Sequence, residues 1–319
     1  MRRFLPGFVF VFVVLLSYAA LTQDKPTAAA GQKKGGHTDP QACHNTGPYT
    51  TTCNPFGADK KAHAVDKTCG ITGDAKSDGD KAQDKQKNNL CASASGSPHE
   101  VKVPELKTLQ ENVDKSNVDY GSVGDHHQGP PADRATLFTQ LPPGSTKEGD
   151  LVSFVGYIVE AKGGSSETVN CHCPDLFSGG NPLSIDVHMA LADHPVTLAK
   201  ATKDATLCTD TFVAETIPHL RPASLELAAI QPLVGKKIVK VTGQIFFDGS
   251  HRPCQGTTRG SSDPARFTVW EIHPVYKIEV CTKNTINDCG ADSANWQPAG
   301  GTAAHHGTTH KGGKKKGST

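Results

Sequence analysis

Two long β-like runs near the C-terminal end constrain the fold more than any other part of the chain. Ile238–Asp248 and Arg266–Val280 are rich in β-branched and aromatic residues, and a Gly/Ser/Pro-rich loop separates them. Every other strand-like run lies within about 90 residues upstream. Whatever domain the chain builds must therefore be assembled from short strands ending in this pair.

Upstream, Leu151–Glu160 reads as a strand with an interior glycine, Gly156, the mark of a bulge or tight bend. Leu183–Leu191 alternates, with Ile185, Val187, Met189 and Leu191 on one face and Ser184, Asp186 and His188 on the other. Thr211–Ile217 is a third strand. Pro222–Gln231 is a short helix with Ser224 placed to cap it and Pro232 and Gly235 to close it. The order strand, strand, strand, helix, strand, strand spans about 130 residues and resembles the five-stranded Greek-key OB barrel. That barrel also wants a glycine in its first strand, which must curl to serve both halves. The resemblance covers Gly149–Cys281 and is one of element order; a β-sandwich or another small barrel uses the same alternation. The expected fold is thus mainly β, an OB-like barrel with one short helix.

The 319 residues contain only 36% hydrophobic residues, with 32 Gly and 21 Pro, so part of the chain is expected to lie outside a packed core. Arg2 and Arg3 followed by the apolar run Phe4–Leu21 read as an export signal over residues 1–22, with an uncleaved anchor as the other reading. Residues 23–40 read as a linker, 41–115 as a Cys-containing segment with one helix, 116–148 as a second linker, 149–282 as the barrel and 283–319 as a Gly/His/Lys-rich disordered tail. In the segment, Val103–Asp114 is the helix, with Leu106, Leu109 and Val113 on one face. Asp74–Lys87 alternates acids and lysines, lacks the spacing of a calcium loop, and reads as solvated charge.

Ten cysteines behind an export signal read as disulfides in a periplasmic or extracellular protein. They fall into three groups: Cys43, Cys53, Cys69 and Cys91; Cys171, Cys173, Cys208 and Cys254; and Cys281 with Cys289. Pairing is expected within groups, with Cys281–Cys289 locking the last strand. Cys171-His172-Cys173 has the look of a metal hook, but in an oxidising compartment its thiols are expected to be bridged, to partners such as Cys208 and Cys254.

Chemistry is sparse. No nucleophile elbow, phosphate loop or dinucleotide fingerprint is present, and an enzyme is the less favoured reading. The last strand places Glu271 and His273 on one face; Asp186 and His188 share a face of the second strand, Glu215 lies on the third, and Asp248 and His251 sit at the exit of the fourth. Asp186, His188, Glu215, His251, Glu271 and His273 are the candidate ligand-binding residues. Within them, His188, His251, His273 and Glu271 form a donor set suited to zinc or another divalent metal. Pro274 removes a backbone donor and requires an edge or a bulge there. A net charge of +1 and the absence of Lys or Arg on strands two and three argue against nucleic acid.

The Asp186-x-His188 strand and the terminal Trp270-Glu271-Ile272-His273-Pro274-Val275 strand resemble exported bacterial proteins of uncharacterised function that join a Cys-containing segment to such a domain. The resemblance implies architecture and no activity. The expected role is an OB-like binding module of the cell envelope, with an oligosaccharide or envelope component as partner and no membrane contact beyond an uncleaved signal. The other readings are a metal-binding protein or metal-dependent hydrolase using the His/carboxylate set, and a structural envelope protein.

Overall fold

The alternation closes into a barrel. A computed structural model describes residues 43–92, 96–116, 118–121, 129–134, 146–173, 177–178, 181–199, 203–258 and 264–300. Its centre is five strands: β1 (Leu151–Gly163), β2 (Val187–Ala192), β3 (Phe212–Thr216), β4 (Ile238–Phe247) and β5 (Trp270–Cys281). β1 pairs antiparallel with β4 through Leu151–Tyr157 and with β2 through Tyr157–Gly163. β2–β3 and β4–β5 are antiparallel and β3–β5 is parallel. The order β1-β2-β3-β5-β4 therefore returns to β1, which is the OB-like Greek-key closure.

Gly156 sits where β1 passes from one partner to the other. A Cβ there would lie 2.3 Å from the Ala192 carbonyl oxygen and 2.6 Å from the Phe154 ring, so only glycine lets the backbones approach. The Pro274 break is met by a bulge rather than an edge: β5 has β3 and β4 on its two sides, and the β4–β5 register shifts on both sides of Gly243. Gln244 Nε2 donates to the His273 carbonyl at 3.0 Å across this irregularity.

The 43–116 segment is not a separate body. Tyr49, Phe56, Leu90, Leu106, Leu109 and Val113 share one apolar core with Phe154, Met189, Phe212, Ile245 and Trp270 of the barrel. The helix expected over Val103–Asp114 is present as α2 (Val103–Ser116) with its three apolar positions buried. The solvated-charge reading of Asp74–Lys87 is corrected. Asp78–Lys87 forms helix α1, capped by Ser77 and carrying acids in its first turn and lysines in its last. Gln83, Asp84 and Lys87 are buried. The helix docks through polar groups: Gln83 Nε2 donates to Ser250 Oγ at 2.7 Å, and Gln86 Nε2 to Gln244 Oε1 at 3.1 Å. A further helix, α3 (Lys203–Asp210), lies between β2 and β3, and the helical stretch between β3 and β4 narrows to α4 (Leu227–Ile230) flanked by tighter turns. Ser224 does not cap it; it lies inside the first of those turns.

All ten cysteines are paired, a pattern that suggests an oxidising environment. Cys53–Cys91, Cys208–Cys254 and Cys281–Cys289 stay within their groups, the last as expected. Cys43–Cys173 and Cys69–Cys171 do not: they run between groups, over 130 and 102 residues, and fasten the segment to the loop after β1. A single bridge over a loop of this length removes about 4–5 kcal/mol of unfolded-state conformational freedom, and the second, nested with it, adds less. Residues 283–300, expected as part of the tail, also stay with the barrel, because Trp296–Pro298 pairs with β5. The expected export signal, the 23–40 linker and the tail from 301 lie outside the described residues. Among the described residues, no helix is long and apolar enough to cross a membrane.

The segment docks a second time through Asp66, whose Oδ1 lies 2.8 Å from Nδ1 of the fully buried His219, itself stacked on Tyr49 at 4.1 Å. Burial lowers the His219 pKa against the pull of Asp66. The unfolded chain takes up this proton near pH ~6.5 and the folded chain only at lower pH, so the contribution of His219 is present above that pH and lost as pH falls. Thermal melts from neutral to mildly acidic pH should show a shallower loss of stability in His219→Gln than in the native chain; equal slopes would remove this account. Gly156→Ala is expected to lose about 1–3 kcal/mol in urea unfolding from the backbone clash it forces.

Candidate metal centre

The same alternation that sends Val187, Met189, Ala214 and Ile272 into the core sends His188, Glu215, Glu271 and His273 to the outer face of β2, β3 and β5. His188 stands opposite Glu215 in the β2–β3 ladder. In the parallel β3–β5 ladder Val213 faces Glu271 and Ala214 faces Ile272, which brings His273 beside Glu215. Asp186 enters one residue before β2.

Outward does not mean exposed here. One half of the face is apolar: Val159, Ala190 and Ala192 pack under Leu207 and Cys208 of α3, which Cys208–Cys254 ties to the loop between β4 and β5. The other half is polar and lies under α1 and the 164–173 loop. Asp186 and Glu215 are 1% exposed, His188 5%, and Glu271 and His273 are fully buried.

His273 is central. Its Nδ1 lies 3.0 Å from Glu215 Oε2 and 3.5 Å from Glu271 Oε2, and its Nε2 lies 3.9 Å from Asp186 Oδ2. His188 Nε2 is 3.4 Å from Glu215 Oε1. Arg266, fully buried, pairs through Nη1 with Glu271 and, at 3.0 Å, with Asp248 Oδ2. Lys87 comes down from α1 to place its Nζ 3.4 Å from Glu167 Oε2. Five of the six candidate residues thus converge. The sixth, His251, reaches the cluster only through Asp248, on whose Oδ2 its Nδ1 rests, and its side chain is 25% exposed.

Burial and charge pull these groups apart in pKa. Burial pushes Asp186 up to about 7. Burial and the neighbouring Glu215 charge push Glu271 up to about 7. Burial works on Glu215 too, but His188 and His273 outweigh it and hold its carboxyl well below the usual range. Burial lowers His188. For His273 the charge of Glu215 overcomes burial and raises the imidazole to about 10. Lys87, although wholly buried, is held above its ordinary value by Glu167, Glu215, Asp248 and Asp186.

Two features of this cluster point to a cation. First, five carboxylates, Glu167, Asp186, Glu215, Asp248 and Glu271, gather where the ion pairs are supplied by Lys87, Arg266 and the histidines, an acidic balance that a bound ion would complete. Second, both carboxylate oxygens of Asp186, both ring nitrogens of His188 and of His273, Glu215 Oε2 and Glu271 Oε2 have no aligned hydrogen-bond partner in the protein. Buried polar atoms are seldom left so, and here they belong to one connected group of side chains. One donor atom each from Asp186, Glu215 and His273 lies within 4.8 Å of the others. Ligands about 2.1 Å from a shared ion stand roughly 3–4 Å apart, so a small adjustment closes the set. Two imidazoles and several carboxylates without sulfur suit zinc, manganese or ferrous iron.

Lys87 and Glu167 carried no signal in the sequence beyond ordinary surface charge. The one trace is that Gln83, Gln86 and Lys87 recur at helical spacing and form a polar stripe. Arg266 stands out only as an arginine beside a strand. Removing its charge leaves Asp248 and Glu271 buried without it, and Arg266→Met should cost about 3–5 kcal/mol in chemical unfolding. A change within a few tenths would show that the pair carries no such burden. Comparisons with known protein families, with curated proteins and with solved structures find no match for this chain.

Proposed function

We propose that the chain is an exported OB-like protein that holds one divalent transition metal ion on the covered face of its barrel. Asp186, Glu215 and His273 are the ligands and His188 and Glu271 stand ready beside them. The observation that carries this reading is that buried donor atoms of Asp186, Glu215 and His273, none with an aligned hydrogen bond, lie within 4.8 Å of one another. The fully paired cysteines support export, since such bridges persist outside the cytoplasm.

Holding the ion, rather than catalysis on it, fits the site. Catalytic metals keep a position open to substrate, whereas closed sites are structural or sequestering. Here the donors are at most 5% exposed. The β2–β3 face through which OB barrels take oligosaccharides is packed under α1, α3 and two loops, which favours a small ion over a polymer chain. Lys87, Arg266 and Glu167 surround the donors and set their charge and orientation.

The test is the metal content of the full chain purified without added metal and then equilibrated with zinc or manganese at low free concentration. One tightly held equivalent is expected at this site. Glu215→Gln with His273→Gln should lose it, while circular dichroism checks the fold. X-ray absorption of the native protein at the metal edge supplies a reading that needs no variant: a nitrogen/oxygen shell without sulfur is expected. A chain free of bound metal, or one whose content the double variant leaves unchanged, overturns the proposal.

A further inference from the structure

A second group of donors lies at the seam between the segment and the barrel. His44 and His172 both turn Nδ1 onto the carboxylate of Asp74. His172 Nδ1 stands 3.0 Å from Oδ1 and 2.9 Å from Oδ2, His44 Nδ1 is paired with Oδ2, and the two rings are 5.2 Å apart. The three residues come from regions far apart in sequence, and covalent chemistry brings them together. His44 follows Cys43, and His172 lies between Cys171 and Cys173. The Cys43–Cys173 and Cys69–Cys171 bridges, with His44 N donating to the Cys171 carbonyl at 2.9 Å, pin both histidines to one spot.

The backbone is bent to serve this arrangement. Cys171 and His172 are consecutive non-glycine residues in the left-handed region, at φ 54° and 48°. Such residues carry strain that persists only where the surroundings enforce it, and they gather at functional sites. On the other side Gly73, at φ +55°, lies so close to the Thr168 carbonyl oxygen that a Cβ would sit 2.0 Å from it, and Asp74 N donates to that same oxygen at 3.0 Å. Asp74 is thereby held under the rings with its side chain 2% exposed, while His44 and His172 are 48% and 37% exposed.

We infer that His44, Asp74 and His172 form a second metal site, open to solvent, for a divalent transition ion of the zinc or copper class. Two imidazole nitrogens and one carboxylate oxygen, mutually within 4.8 Å, supply three ligands, and the exposed side of the rings leaves a position for water. The site does not depend on the barrel cluster. Its donors span the segment and the 164–173 loop, so an ion there also clamps the one to the other without using sulfur.

Cupric ion is the probe that reads the ligands directly. The full, oxidised chain is titrated with one equivalent of Cu2+ and followed by electron paramagnetic resonance. His305, His306 and His310 of the C-terminal end are replaced by alanine so that they cannot compete. Hyperfine splitting from two imidazole nitrogens is expected. His172→Ala should reduce it to one nitrogen, His44→Ala with His172→Ala should abolish it, and Asp74→Asn should weaken binding at least tenfold. Circular dichroism in metal-free buffer checks that each variant keeps the native fold, with a lowered melting temperature expected where the buried Asp74 loses its histidine partners. The Glu215→Gln/His273→Gln chain separates the two sites: it retains the signal if the seam site is the binder. A signal that survives loss of both His44 and His172, or that vanishes with Glu215 and His273, overturns the inference.

Discussion

The polar half of the covered face of the barrel depends on neutralising carboxylates that have been taken out of water. Glu215, Glu271, Asp186 and Asp248 lie in one buried patch with the half-buried Glu167 at its rim, and an isolated buried carboxylate is among the costliest groups a fold can carry. Lys87 and Arg266 answer part of that charge, and His251 and His273 are held toward their protonated forms by the remainder. Asp186 and Glu271, with carboxyls pushed up to about 7, mark where the protein's own cations run out. The divalent ion proposed among Asp186, Glu215 and His273 would complete the balance without asking those groups to keep protons.

That requirement explains the position of α1. The helix has almost no apolar face, so burial of hydrocarbon cannot dock it. It is held by Lys87 reaching Glu167, by Gln83 on Ser250 and by Gln86 on Gln244. Polar contacts contribute little net energy each. The two bridges from Cys43 and Cys69 therefore matter: they make docking of the segment nearly intramolecular and leave the polar contacts to set register rather than supply affinity. The apolar core shared by Tyr49, Phe56, Leu106 and the barrel does the rest.

The barrel was legible in the sequence because strand alternation reports burial on one face. Val187, Met189 and Leu191 point inward as the pattern demands, and Gly156 marks the curl of β1. The candidate residues on strands were legible for the same reason: once one face is fixed as core, His188, Glu215, Glu271 and His273 must share the other. What the pattern could not show is that the other face is covered too. A helix that docks through glutamines and a lysine looks like a solvated one, because periodicity detects hydrocarbon and not hydrogen bonds. The cross-linking of Cys43 to Cys173 and of Cys69 to Cys171 was hidden for a related reason: spacing along the chain favours neighbours, whereas the segment folds back over more than 100 residues to meet the 171–173 loop.

The central claim is that the orphaned donors around His273 belong to a metal ion. Anomalous diffraction from crystals of the native chain, collected on both sides of the zinc, iron and manganese absorption edges, tests it most directly. The account predicts one anomalous peak bonded to Asp186, Glu215 and His273 at about 2.0–2.2 Å. A site holding only water, with Asp186 and Glu271 hydrogen-bonded as protonated carboxyls, would contradict it.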